Sequence, residues 1–267
     1  MKDLQNHQLE LLIEIKKLYD NVMDETIDLI KQYNCKTPLE IYCLFNMINN
    51  SYTKGKELFN ILYENGTIPT YSRELETRDI KGIQTVLNSG VYRHRTSMLN
   101  DIYKRLEYES VMLYGYAENL LKNEEISSNI EKINDDYYTK SKKFPNHVVV
   151  MVGNDKKYYL DPIKDVTYYK NDEDKITLRN NLGLYFFSDI KVNKFFWGHF
   201  KGINNELEIY NKIMEKPCSN ELENIEEIKE IYSHLKQYKF NIEKFVRNTE
   251  KSISNIKEKS LIFNNKY

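Results

Sequence analysis

Apolar residues at both ends of the chain recur three and four positions apart, with charged residues between them. This spacing is typical of amphipathic helices, because it places the apolar residues along one face. It predicts a helix over 11–29 and helical structure over 222–256, which we expect to pair antiparallel with the first helix. Another helix is predicted to begin at Thr37, with Pro38 in its first turn and Glu40 completing a capping box.

The central feature of the chain is a helix predicted to begin at Tyr92, directly after a tight turn at Gly90. Glycine readily adopts the positive φ that such a sharp entry needs. Small and apolar residues then follow on the face of Tyr92, at positions 96, 99, 103 and 106. Tyr92 therefore points inward or into a cleft, at a helix end whose free N–H groups and dipole favour an anion. We expect Arg93, His94 and Arg95 to form a solvated or cleft-side face.

Alternating apolar residues predict strands after this helix. One strand covers 110–116, and two more, 147–152 and 157–162, flank a turn rich in Gly, Asn and Asp that is typical of a β-hairpin. The polar residues 121–143 are predicted to be a connection. Apolar residues farther along are predicted to form a wall packed on the sheet: Phe186, Ile190, Phe195, Phe196, Trp197 and Phe200.

Composition narrows the classes of function. The chain has 267 residues, 40% of them hydrophobic, which suffices for a sizeable core. Its formal net charge is -1 with both signs interspersed, which argues against a nucleic-acid or membrane-surface partner. There is no run of about eighteen apolar residues and no pattern of a signal peptide. The 3 cysteines fit neither a metal site nor a disulfide framework, so we expect a cytoplasmic protein without metal or cofactor.

The predicted hairpin brings an imidazole and a carboxylate together. His147 and Asp161 lie symmetrically about Asn154, so a turn centred there places them opposite each other or one register apart. Residues directly opposite on one sheet face have Cβ atoms roughly 4.5–5.5 Å apart. The carboxylate could then fix the imidazole tautomer and stabilise the imidazolium, as the third member of a catalytic triad does.

These segments resemble the signature of the transglutaminase-like superfamily, whose members have a papain-like fold. The matching blocks are Gly90-Val91-Tyr92-Arg93-His94-Arg95, Leu113-Tyr114-Gly115-Tyr116, Asn146-His147-Val148-Val149-Val150 and Tyr159-Leu160-Asp161-Pro162. In that family a Cys heads a helix, a His opens a strand, and an Asp followed by Pro ends the next strand. The resemblance covers roughly residues 75–165. It implies Cys-His-Asp acyl-transfer chemistry on a peptide or protein.

The resemblance assigns the catalytic positions to Tyr92, His147 and Asp161, with Tyr92 where the family has its nucleophilic Cys. A phenol has a pKa of about 10 against about 8.5 for a thiol, so much less of the anion exists at neutral pH. The ring would also fill the pocket that a substrate carbonyl needs. Ser89 and Thr96 are more simply a helix cap and a small core residue than substitute nucleophiles.

The spacing of apolar residues and the resemblance together predict an α+β protein in three parts, of which the resemblance explains only the core. These are a helical N-terminal segment (1–70), a transglutaminase-like core (71–205) and a helical C-terminal extension (206–267). Two functions are open. The first is a catalytically impaired relative that binds a peptide or protein in the former active-site cleft. The second is an active cysteine-type acyl transferase or peptidase whose nucleophile is substituted in this chain.

Overall fold

The protein is represented by a computed structural model. It describes residues 2–52, 55–67, 85–87, 92–115, 130–133, 136–139, 147–162, 166–170, 175–180, 183–188, 208–209, 211–213, 215–217 and 221–264. The predicted Gly90 turn lies outside these residues.

The helices lie toward both ends of the chain and before the first strand. In the described part of the chain, the long helices are α1 (Lys2–Gln32), α2 (Pro38–Asn50), α3 (Gly55–Glu64), α4 (Tyr92–Arg105), α5 (Glu221–Leu235) and α6 (Lys239–Asn264). The predicted antiparallel pairing of the terminal helices is confirmed by two contacts. Tyr33, just after α1, stacks on Tyr238, just before α6, with ring centroids 4.0 Å apart. Lys259, near the end of α6, forms an ion pair with Glu14, in the middle of α1.

The capping box predicted at the start of α2 is present. The N–H of Glu40 donates to Thr37 Oγ1 at 3.2 Å, and the N–H of Thr37 donates to Glu40 Oε2 at 2.8 Å. Pro38 follows in the first turn, where a backbone N–H has no helical acceptor.

Replacing Thr37 with Ala should lower the free energy of unfolding by about 1 kcal/mol, because the N–H of Glu40 loses its acceptor. Urea unfolding curves of the two proteins measure this difference. Thr37→Ser is the matched control, since it keeps the hydroxyl and should retain most of the stability. Equal losses in the Ala and Ser variants would contradict a role for the hydroxyl.

The strands form an antiparallel sheet of six and a separate pair. In chain order they are β1 (Glu109–Gly115), β2 (Ile130–Ile133), β3 (Asp136–Thr139), β4 (His147–Gly153), β5 (Lys157–Asp161), β6 (Val166–Lys170), β7 (Lys175–Asn180) and β8 (Gly183–Ser188). The large sheet has the order β1-β4-β5-β6-β7-β8, and β2 pairs with β3. The three predicted strands correspond to β1, β4 and β5. The fold is therefore α+β, as expected.

Two predictions for the middle of the chain are wrong. The segment 121–143, predicted to be a connection, contains β2 and β3, whose short and polar sequences show no clear alternation. Phe186 belongs to β8 and is thus part of the sheet, not of a wall packed on it. The rest of that predicted wall, from 190 to 200, lies outside the described residues.

One hydrophobic core joins the terminal helices to the sheet. Many of its fully buried side chains come from α2, α4 and β4, others come from α1, α3 and β5, and α6 contributes further members. They include Leu39, Leu44, Phe45, Leu99, Ile102, Tyr103, Val150 and Val152. The predicted boundaries near 70 and 205 lie outside the described residues and stay predictions. In the described part of the chain, no helix is both long and apolar enough to cross a membrane.

Candidate active site

Three elements carry the predicted site residues at their ends. Tyr92 is the first residue of α4, His147 is the first of β4, and Asp161 is the last of β5. Because β4 and β5 are antiparallel, the start of β4 and the end of β5 lie at the same end of the sheet. The direction of α4 relative to β4 decides whether Tyr92 lies there as well.

Two side-chain hydrogen bonds determine this direction. Thr96 Oγ1, near the start of α4, donates to the carbonyl of Val148 at 3.2 Å. One turn farther along α4, Asn100 Oδ1 accepts from Ser110 Oγ at 2.9 Å, and Ser110 pairs with Val152 in the sheet. Thus α4 and β4 run in the same direction, and the first turn of α4 lies at the end of the sheet where β4 begins.

The backbone therefore brings Tyr92 and His147 to the same end of the molecule. Tyr92 lies one turn before Thr96 on the same helix face, and His147 directly precedes Val148. On the other side of β4, Gly115 of β1 pairs with His147 and places no side chain beside it. The side chains of Tyr92 and His147 lie outside the described part of the structure. Their predicted contact stays a prediction.

The register of the hairpin is not the one that a turn centred on Asn154 would give. Val150 pairs with Leu160 and Gly153 with Lys157, so the turn is centred on Asp155. Extending this register places Asp161 beside Val149. Because side chains alternate with a period of two, His147 and Asp161 still share a face, as diagonal neighbours about 7–8 Å apart rather than directly opposite. A hydrogen bond between them stays a prediction.

Asp161 is buried, with 1% of its surface exposed, and contacts surround it. Its backbone carbonyl accepts a hydrogen bond from the Tyr42 hydroxyl at 2.8 Å. The carbonyl of the next residue, Pro162, accepts from Arg95 Nη1 at 3.3 Å, and the same nitrogen donates to Asn50 Oδ1 at 2.9 Å. Side chains from α2 and α4 therefore hold the end of β5.

A charge interaction links Arg95 to Asp161. Burial lowers the pKa of Arg95, and the negative charge of Asp161 acts against that by raising it. An arginine starts from a pKa far above neutral, so the guanidinium stays charged. A buried carboxylate needs such a compensating charge, because water does not reach it.

The prediction that His94 lies on a solvated or cleft-side face of α4 is wrong, because His94 is fully buried. Arg95 is half-buried, and the side chain of Arg93 lies outside the described part of the chain. The reason is tertiary: α4 packs between the sheet and α2, so both of its sides are covered. Other polar side chains of this helix are also buried, namely Thr96, Ser97, Asn100 and Asp101. Burying so many polar groups on one helix is costly unless each is hydrogen-bonded, and such clusters occur at functional sites.

Sequence reasoning missed Tyr42 and Asn50, which contact the site from α2. Their positions in an amphipathic helix gave no reason to connect them with a strand more than a hundred residues away. The only signal in the sequence was that Asn46 and Asn49 interrupt the apolar residues of α2, and the structure shows that both are buried.

The described cysteines and acidic residues suggest no alternative centre. Burial raises the pKa of Cys35 to about 12, helped by the charge of Glu40, and Cys43 is buried in the core. Thr96, considered as a substitute nucleophile, donates its hydroxyl to the Val148 carbonyl. Among the described residues, no cluster of His, Cys, Asp and Glu could hold a metal ion.

Comparison with known proteins returns no match to a family model, to a curated protein or to a solved structure. The resemblance to transglutaminase-like proteins therefore rests on the motifs of this chain and their positions.

Proposed function

We propose that this chain is a transglutaminase-like protein of papain-like fold in which Tyr92 replaces the nucleophilic Cys, and that it binds a peptide or protein in the former active-site cleft. One observation carries the proposal. The head of α4, the head of β4 and the end of β5 lie at one end of the sheet, in the chain order of the family's Cys, His and Asp.

Binding is favoured over catalysis because Tyr92 stands where the family has its nucleophilic Cys. Removing the nucleophile of a triad costs about three or more orders of magnitude in rate. A tyrosine hydroxyl is a poor substitute, since so little phenolate forms at neutral pH. Cys35 lies between α1 and α2, Cys43 lies on α2, and neither forms a disulfide. Cysteines outside disulfides are consistent with the reducing, cytoplasmic compartment that we propose for this protein.

Restoring the thiol with Tyr92→Cys tests the proposal. The helix N-terminus and a neighbouring imidazolium should depress the pKa of the new thiol to about 7 or below. We therefore expect iodoacetamide to modify position 92 at about pH 6.5 at least tenfold faster than Cys35 or Cys43. Mass spectrometry of each cysteine peptide over a range of pH gives the rates and the midpoint.

His147→Ala in the Tyr92→Cys protein is the control for the imidazole. It keeps the helix N-terminus but removes the neighbouring cation. The pH midpoint for alkylation of the thiol at position 92 should therefore rise by about one pH unit. A thiol at position 92 that reacts no faster than Cys35 would remove the chemical basis of the proposal.

Catalysis by the natural chain is the alternative outcome. If the protein with Tyr92 intact hydrolysed or cross-linked peptides, and His147→Ala abolished that activity, the protein would be an acyl transferase or peptidase and not a binding protein. Product formation with an unstructured protein such as casein, followed by mass spectrometry, measures it.

A further inference from the structure

We propose that Arg95 is the positioning residue of this site, holding Asp161 and the end of β5 against the first turns of α4. The inference rests on the proposed function, because it assigns Arg95 a role in orienting the Asp of the former triad. Sequence reasoning had placed Arg95 on a solvated or cleft-side face.

From the first turn of α4, the contacts of Arg95 reach α2 and the end of β5. It lies three residues after Tyr92 on α4, and its Nη1 donates to the carbonyl of Pro162 at 3.3 Å. The preceding residue, Asp161, has 1% of its surface exposed and interacts with the Arg95 charge. The guanidinium thus donates to the backbone at the end of β5 and lies close enough to the charge of Asp161 to interact with it.

Helix α2 forms hydrogen bonds with both Asp161 and Arg95. The Tyr42 hydroxyl donates to the Asp161 carbonyl at 2.8 Å, and Asn50 Oδ1 accepts from Arg95 Nη1 at 2.9 Å. These residues lie two turns apart on α2, so one rigid helix holds Asp161 at one point and Arg95 at another. An arginine suits this arrangement because its planar fork offers several donors in fixed directions, whereas a lysine offers one point charge.

Loss of Arg95 should disturb Asp161 directly. Without the Arg95 cation, the buried carboxylate of Asp161 loses its compensating charge and is no longer held in one orientation. It is then unable to orient the imidazole at position 147 or to stabilise its charged form. The charged and titratable groups to consider here are Asp161, His147, and His94, which is buried on the same helix.

The first experiment is a double-mutant cycle on stability in the otherwise unchanged chain. Arg95→Gln and Asp161→Asn should each lower the folding equilibrium constant by about a hundredfold, since each leaves a buried group without its partner. Together they should lower it at least about tenfold less than the product of the single effects. Strictly multiplicative effects would show that the two residues do not interact and would overturn the proposal.

The second experiment measures the thiol of Tyr92→Cys by its rate of alkylation against pH. Arg95→Gln should raise the midpoint by about one unit and slow the reaction at about pH 6.5 tenfold. Arg95→Lys should recover part of this loss, because it keeps the charge without the fork. In the presence of Asp161→Asn, Arg95→Gln should have little further effect, since Arg95 acts through Asp161.

Arg105→Gln is the matched control. Arg105 lies at the other end of α4, where it forms an exposed ion pair with Asp24 at 3.0 Å. Its removal should leave the alkylation midpoint unchanged.

The outcomes separate this inference from the proposed function. If the thiol of Tyr92→Cys is activated but Arg95→Gln leaves its midpoint unchanged, Arg95 is structural only and the inference is wrong. The inference is also wrong if Arg95→Gln shifts the midpoint equally with and without Asp161→Asn. If the thiol is not activated in any variant, the proposed function fails and the positioning role with it, while the stability cycle still reports whether Arg95 and Asp161 are paired.

Discussion

Above about pH 10 the protein should lose about 2.7 kcal/mol of stability for each further pH unit, from Tyr52 and Tyr103 alone. Burial raises the pKa of both hydroxyls above the ordinary value of 10.0, well above it for Tyr103. Between the unfolded and folded pKa values, the unfolded chain has released protons that the folded chain keeps. Stability is therefore complete below pH 10 and falls as pH rises.

Cys35 should start the loss of stability slightly earlier. Burial raises the pKa of its thiol from 9.0 to about 12 in the folded protein, so the unfolded chain again releases its proton first. Because this thiol is only partly buried, solvent screening makes its contribution smaller than that of either tyrosine. Over pH 10–11 the two tyrosines alone remove about 2.7 kcal/mol, a large share of the stability of a typical domain, which is about 5–15 kcal/mol.

Urea unfolding at a series of pH values measures the slope of the free energy of unfolding against pH. Tyr52→Phe and Tyr103→Phe should each reduce it by about 1.4 kcal/mol per pH unit. The slope is the relevant quantity because Tyr103→Phe also removes the hydrogen bond from this hydroxyl to the Pro38 carbonyl, 2.7 Å long, which lowers stability at every pH. Tyr63→Phe is the control, since Tyr63 is exposed on α3. A slope that Tyr103→Phe leaves unchanged would contradict the burial of this residue in the folded state.

Gly55→Ala is expected to destabilise the protein by about 3 kcal/mol or to prevent folding. A Cβ at this position would overlap the backbone of Leu87 at its Cα, carbonyl carbon and oxygen. Backbone atoms cannot turn aside as the end of a flexible side chain can. Alanine would otherwise favour the helix by about 1 kcal/mol, so a large loss must come from the clash.

Gly66→Ala provides the comparison for Gly55→Ala. Gly66 has a φ of 73°, which an alanine adopts at a cost of about 1 kcal/mol, but the added Cβ would meet only Gln8 Nε2 at 3.7 Å. Urea unfolding of both variants should therefore show the larger loss for Gly55→Ala. The reverse order would mean that α3 does not pack closely against Leu87, five residues before α4 begins.

The amino-acid sequence alone was enough to identify structure that depends on residues close together in the chain. The helix over 11–29 follows from apolar spacing, and the start of α2 follows from the reciprocal bonds of Thr37 and Glu40, three residues apart. The pairing of β4 with β5 follows from two alternating segments and a short turn. Each of these rests on local interactions, and local interactions are visible as patterns.

Features that depend on distant contacts could not be predicted in this way. A hairpin pattern suggested that His147 and Asp161 share a face, but not the register, because several turn geometries fit the same residues. Strand β7 alternates Ile176 and Leu178 with polar residues over a short run, and β6 and β8 show no strict alternation. All three are paired only within the sheet.

The surroundings of the candidate site also depend on contacts between residues that are far apart in the chain. Arg95 reads as a surface residue in a polar helix, and only the packing of α4 between α2 and the sheet brings it to Asp161. Tyr42 reaches the Asp161 carbonyl across 119 positions of the chain. No local pattern encodes a hydrogen bond over that separation. It exists because the hydrophobic core holds α2 against α4 and the sheet, and burial then makes each polar contact strong enough to matter.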